Sequence, residues 1–307
     1  MSALLEADKL GRWYGQVIGL NELSLSIEGG ITGLVGPNGA GKSTFLKLVA
    51  GEIRPSRGKL SVFGLAPFAN REYFRRIGFC PQQDALYDDM SAPQVVSFLL
   101  RLHGYAKREA LRRAHAALER VALRDGLDRP TRGYSKGMRQ RVKLAQAIAH
   151  DPELLILDEP LNGLDPVGRV EMTRLFKELG KSGVHVLISS HVLHEVESLT
   201  EHIVLLHRGR LLAQGTVGDV RRLLNRHPRR VEIASRDPRR LARRIVELVD
   251  VRSVRLVPEE GRLSVETHEI ESFLARLTAI AAEEKAGIKS LESPDASLEA
   301  VFDYLVG

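Results

Sequence analysis

Five short runs along the first two-thirds of the chain are apolar on consecutive positions: 31–35, 77–80, 154–157, 184–189 and 203–206. They are rich in Leu, Ile and Val and lack polar alternation, the pattern of strands covered on both faces. Stretches of helical periodicity separate many of them, which predicts an α/β domain built on a mainly parallel sheet. The opening segment and residues 59–63 alternate more strictly and predict an additional antiparallel layer. Between residues 91 and 150 no strand is expected. Ser91, followed by Pro93 and Gln94, reads as a helix start, with Val95, Val96, Leu99, Leu100 and Leu102 on the apolar side, and a second helix is expected over 107–121. These form a helical insert placed at about 88–150.

The composition shifts near residues 225–228. Beyond them the pattern predicts strand 231–234, helix 238–248, strands 253–257 and 262–266, helix 270–283, strand 288–293 and a last helix from Leu298. That order, βαββαβ plus a tail, is the one of a ferredoxin-like module. The domains expected are therefore 1–224 and an accessory α+β domain, 225–307.

Composition narrows the setting. The chain has 307 residues, enough for one large domain and one small. Its single cysteine, Cys80, allows no internal disulfide and suits a reducing compartment. The first ten residues already carry Glu6, Asp8 and Lys9, unlike a signal peptide, and no run approaches the roughly 20 apolar residues of a membrane span. The expected location is the cytoplasm, with any membrane role supplied by a partner. The net charge of +6 comes partly from an arginine-rich stretch over 221–255. It reads first as a solvated surface, with attraction to anionic lipid as an alternative. Nucleic-acid binding is not expected, because aromatics are few and do not interleave with the charges.

The strongest chemical signal is Gly36-Pro37-Asn38-Gly39-Ala40-Gly41-Lys42-Ser43-Thr44. It fits G-x-x-x-x-G-K-[ST], with an apolar strand before it and a helical pattern after it. Glycines let backbone N–H groups wrap phosphate oxygens, and the helix N-terminus adds a favourable partial charge. Lys42 is placed to neutralise the terminal phosphates and the Ser43 hydroxyl to ligate Mg²⁺. The second signal is the apolar run 154–157 ending in Asp158-Glu159. Asp158 is expected at the carboxyl end of a strand beside the phosphate loop, where it can hold Mg²⁺. Glu159 can polarise a water aligned with the γ-phosphate.

With these motifs in this order, the chain resembles the ATP-binding-cassette family over about residues 5–220. Tyr134-Ser135-Lys136-Gly137-Met138 stands where that family has its L-S-G-G-Q signature, with Lys136 for the first Gly and Met138 for Gln. The resemblance implies that Ser135 and Gly137 contact a nucleotide held by a second protomer. It implies Gln82 as the glutamine that reaches Mg²⁺ or the attacking water, with the adjacent Gln83 leaving the register open. It implies His191 as the switch histidine bonded to the γ-phosphate, and Asp165, in Asn162-Gly163-Leu164-Asp165, as part of a loop facing the partner. Tyr14 matches the aromatic that stacks on adenine, with Trp13 as its rival. The fold implied is that of a P-loop NTPase, and the cofactors are ATP and Mg²⁺. The implied partners are an integral membrane permease and a second copy of the chain or a related ATPase subunit. Residues 297–302, Ser-Leu-Glu-Ala-Val-Phe, resemble an ending of exporter subunits. The function expected is thus ATP hydrolysis driving a separate permease, in an exporter, at the inner face of the membrane. An importer subunit and a non-transport ATPase switch are the alternatives.

Overall fold

A computed structural model of the protein describes residues 3–220, 229–257, 261–284 and 286–293. The chain separates into two compact units, Met1–Val217 and Gly218–Gly307. The helix expected from Leu298 and the boundary expected at 224/225 lie outside the described residues.

The first unit is built on a six-stranded sheet. Its strands are β3 (Ile31–Val35), β5 (Ile77–Cys80), β6 (Leu154–Asp158), β7 (His185–Ser190), β8 (His202–His207) and β9 (Arg210–Thr216), in the order β5-β6-β7-β3-β8-β9. Every pairing from β5 through β8 is parallel. β9 folds back antiparallel on β8; its mixed pattern, Arg-Leu-Leu-Ala-Gln-Gly-Thr, had no strand signature. A separate antiparallel sheet, β2-β1-β4, is made by β1 (Leu5–Tyr14), β2 (Val17–Ile27) and β4 (Arg57–Val62).

Period-two alternation divides the core between the two faces of the parallel sheet. Leu154 and Ile156 of β6, with Leu187 of β7, pack on helix α1 (Lys42–Val49) and the antiparallel sheet. Leu155 and Leu157, with Val186 and Ile188, pack on the helical side. There stand α3 (Ala92–Leu102), α4 (Lys107–Arg120), α5 (Lys136–Ile148) and α6 (Pro166–Lys181), while α2 (Arg71–Phe74) leads into β5 and α7 (Leu193–Glu197) follows β7. All four β6 apolar side chains are essentially inaccessible, so truncating any one to Ala should cost about 2–5 kcal/mol. The expected start of α3 is present as a reciprocal capping box between Ser91 and Gln94. No named strand falls between α3 and α5.

The second unit places β10 (Arg229–Ser235), α8 (Pro238–Ile245), β11 (Val251–Val257), β12 (Arg262–Thr267), α9 (Ile270–Glu283) and β13 (Ile288–Glu292) in the βαββαβ order. Its sheet runs β11-β12-β10-β13, with all pairings antiparallel. Val231, Ile233, Leu263 and Val265 alternate inward against Leu241, Ile245, Phe273 and Leu277 of the helices. The first helix ends three residues earlier than its pattern suggested, because Leu248 N–H closes a turn on Ile245 O.

Candidate functional site

The carboxyl ends of β3, β6 and β7 bring three separate sequence motifs together. The loop leaving β3 turns into α1 at Gly41, which has φ 102°. A Cβ there would come within 2.7 Å of Gly19 O as well, so both conformation and space require glycine. Lys42, in the first turn of α1, is 6% exposed and donates to Gly36 O (2.6 Å) and Pro37 O (3.1 Å). Its ammonium therefore lies along the loop that its own N–H groups help to form. Burial lowers its pKa, and the carboxylates of Glu159 and Asp158 oppose that shift. Ser43 and Thr44 follow on α1; Asn38 and Gly39 are exposed at the crest, Pro37 is half-buried, and Gly36 and Ala40 are buried beneath.

β6 delivers Asp158 and Glu159 to the same place. Ser189, at 0% exposure near the end of β7, joins them: its hydroxyl donates to Asp158 Oδ1 (2.7 Å) and accepts from Glu159 N–H (2.9 Å). Glu159 has φ 51°, in the left-handed region, a conformation costly for a residue with a Cβ. The Ser189 bond anchors it. The Glu159 side chain is 5% exposed, with Lys42 Nζ at 3.7 Å from Oε1 and His191 Nδ1 at 2.9 Å from Oε2. Asn162 Nδ2 donates weakly to the same Oε2 at 3.4 Å. His191 itself is 43% exposed. One buried carboxylate thus stands between a cation of the phosphate loop and an imidazole open to the outside.

Tyr14 ends β1 near this loop: a Cβ on Gly19 would sit 2.9 Å from the Tyr14 ring and 3.0 Å from Thr44 Oγ1. Tyr14 is 43% exposed, and the Arg12 guanidinium lies 4.8 Å from its ring centroid. Trp13 instead carries Arg57 over its ring and packs across Gly11. Gln82 lies exposed in the loop after β5. Ser135 is the exposed N-cap of α5, its hydroxyl accepting from Met138 N–H (3.2 Å), and Gly137 is in the first turn. Asp165 caps α6 by accepting from Gly168 N–H. Among the described residues no hydrogen bond or ion pair joins Ser135, Gly137 or Asp165 to the phosphate loop of the same chain.

Ser189, Ser190 and Glu195 are among the polar positions to which the sequence alone assigned no role. Ser190 donates to Glu195, which pairs with Arg169 (2.5 Å) and so ties α6 to the segment carrying His191. The available signal was two serines ending a strand that is otherwise apolar.

The donor set fits a magnesium nucleotide. Backbone N–H groups of a glycine-rich loop and a buried lysine suit phosphate oxygens. The Ser43 hydroxyl and the Asp158 carboxylate offer hard oxygen ligands, few enough to leave the remainder to phosphate and water, as Mg²⁺ prefers. Phosphate loop, strand-end carboxylates and parallel sheet together define a P-loop nucleotide-binding domain.

Comparison with known proteins narrows that class. The family model described as ABC transporter matches residues 20–162. Linearmycin resistance ATP-binding protein LnrL of Bacillus subtilis is 30% identical over 306 residues, spanning 99% of this chain and 98% of that protein. Nod factor export ATP-binding protein I of Cupriavidus pinatubonensis is 36% identical over 72% of this chain and 68% of its own length. An ABC transporter ATP-binding protein of Synechocystis is 38% identical over 69% of this chain, but only 61% of its own length is covered. A solved ATP-binding subunit of an ABC transporter superposes with a TM-score of 0.65 at 31% identity, covering 72% of this chain and 92% of that one. The chain belongs to the ATP-binding proteins of the ABC transporter family. No helix among the described residues is long and apolar enough to cross a membrane.

Proposed function

We propose that the protein hydrolyses ATP to ADP and phosphate and so drives a separate transmembrane permease, in an exporter. The observation that carries this reading is the buried Glu159 carboxylate, held between Lys42 and His191 at the mouth of the phosphate loop. Lys42 and the loop N–H groups bind the phosphate chain. Mg²⁺ held by Ser43 and Asp158, with Gln82 alongside, would neutralise charge on the phosphates. A water enters between Glu159 and the γ-phosphate; Glu159 takes its proton as the oxygen bonds to phosphorus and the bond to the β–γ bridging oxygen breaks. His191, bonded to Glu159, fixes the carboxylate and offers its other ring nitrogen to the γ-phosphate. Tyr14 offers a π-face to the adenine.

Ser135 and Asp165 are exposed and Gly137 is half-buried, and among the described residues none of the three is bonded to its own phosphate loop. We assign them to the nucleotide of a second copy, in a two-fold dimer that closes on ATP and opens after hydrolysis. Direction of transport follows the relative whose name specifies export. A cytoplasmic position at the permease follows from the need for ATP. Every assigned site residue lies within residues 1–217, so the second unit is given regulation or docking and no chemistry. Phosphate release from ATP by the purified chain, with and without Mg²⁺ and alongside Lys42→Ala, tests the activity. Mg²⁺-dependent turnover abolished by Lys42→Ala supports it, and near-normal hydrolysis by that variant contradicts the site.

A further inference from the structure

Three of the polar residues on helix α5, Arg139, Gln140 and Lys143, fall on one side of it at spacings of one and four. All three reach into neighbouring loops. Lys143 is 3% exposed, yet it is an ammonium, and burying one is costly unless its donors are satisfied. It satisfies all three on successive backbone carbonyls: Pro81 O at 3.0 Å, Gln82 O at 3.2 Å and Gln83 O at 3.2 Å. Arg139 continues the clamp by donating to Asp84 Oδ2 (2.7 Å), Asp88 Oδ1 (2.8 Å) and Thr131 O (2.9 Å). Gln140 donates to Pro160 O (2.8 Å), immediately after Glu159. The helix can come this close because β5 presents Gly78, where a Cβ would strike Ala147 O at 1.9 Å.

Three consecutive carbonyls rarely converge without a cation to receive them, since their dipoles repel. The path of the loop after β5 is therefore set by Lys143, and with it the point from which the exposed Gln82 side chain departs. A guanidinium would replace it only in part: its donors are coplanar, whereas the ammonium's three donors spread around one point.

We propose that Lys143 is a positioning residue for Gln82, holding the loop so that the Gln82 amide reaches the reacting end of the nucleotide. The same lysine ties that loop to the helix capped by Ser135, so the group reading one nucleotide and the group offered to the partner's nucleotide move as one body. This inference rests on the ATPase reading above.

A double-mutant cycle in turnover tests it, using the full-length chain with Lys143→Met, Gln82→Ala and both together, with ATP affinity measured separately. Lys143→Met should lower kcat about tenfold or more and leave ATP affinity within about threefold. Because Lys143 acts through Gln82, the double variant should be no slower than the slower single variant. Lys143→Arg, which keeps charge and donors, should fold and fall between wild type and Lys143→Met; it carries the same cycle should Lys143→Met not be recovered folded. A Lys143 variant as fast as wild type, or losses that multiply in the double variant, would overturn the positioning role while leaving the ATPase reading intact. An inactive wild-type chain would overturn both.

Discussion

His191 Nδ1 stands 2.9 Å from Glu159 Oε2, across 32 residues of sequence, and links the end of β7 to the end of β6. The pair gives the buried carboxylate its orientation and gives a half-exposed imidazole a fixed tautomer. Its two members have separable roles. Glu159→Gln keeps shape but loses the basic oxygen, and turnover should fall by 10²–10⁴ while ATP binding remains. His191→Ala leaves the carboxylate in place but unoriented, and kcat should fall at least about tenfold with ATP affinity changed less than about threefold. Steady-state rates beside nucleotide titrations check both; a His191→Ala chain with wild-type kcat would remove the histidine from the reaction.

Ser189→Ala removes one hydroxyl and orphans two partners. Glu159 N–H is left without an acceptor in the interior, at a residue already held at positive φ. A loss of about 1–3 kcal/mol in unfolding free energy is expected from the unmet donor, together with a higher Mg²⁺ requirement, since Asp158 loses its orienting bond. Denaturant titration and an Mg²⁺ dependence of turnover measure the two effects. Unchanged values for both would make Ser189 a bystander.

Ser189 also marks where the sequence stops being informative. The phosphate loop and Asp158-Glu159 were legible because each is contiguous and carries its own strand or helix context. The C-terminal module was legible because Val231, Ile233, Leu263 and Val265 alternate plainly. Ser189 reaches Asp158 across 31 residues, Arg139 reaches Asp84 across 55 and Lys143 reaches Pro81 across 62, and only the fold brings these partners near. β9 escaped because, at the sheet edge, its pairing with β8 rather than its own side chains makes it a strand.

His150 offers a pH test of packing. Its imidazole lies buried under α3, stacked on His103 at 4.4 Å between ring centroids, with Nε2 2.8 Å from Ile77 O. Burial above all, then His103, pushes its pKa down to about 4, while the Ile77 carbonyl and Asp151 oppose and Arg113 assists. The unfolded chain therefore binds the proton first, near pH 6.5. Stability from this group is full above that pH and is lost progressively as pH falls from 6.5 to about 4, on the order of 3 kcal/mol in total. His150→Gln, which keeps a neutral donor for Ile77 O, should show a flatter decline across that window in urea midpoints. Parallel curves for the two proteins would mean that His150 titrates normally.

In the proposed dimer Ser135 and Lys42 serve different nucleotides, so their defects should complement. Ser135→Arg and Lys42→Ala are each expected to be inactive alone. Mixed, they can form a heterodimer with one intact site, made from the phosphate loop of the first and the α5 N-terminus of the second. Recovery of part of the wild-type rate on mixing supports a shared site. Absence of recovery, with heterodimers shown to form, would mean that the site lies within one chain or that both sites must fire together.

The most direct test of ATP-driven closure and hydrolysis at Glu159 is the mass of the Glu159→Gln chain by size-exclusion chromatography with light scattering. A chain of 307 residues that binds ATP across two copies but cannot hydrolyse it should run as a dimer in Mg-ATP and as a monomer in ADP or without nucleotide, with phosphate release reduced at least about a hundredfold. A Glu159→Gln chain that stays monomeric at saturating Mg-ATP and still releases phosphate at the wild-type rate would contradict both the shared site and the assignment of Glu159.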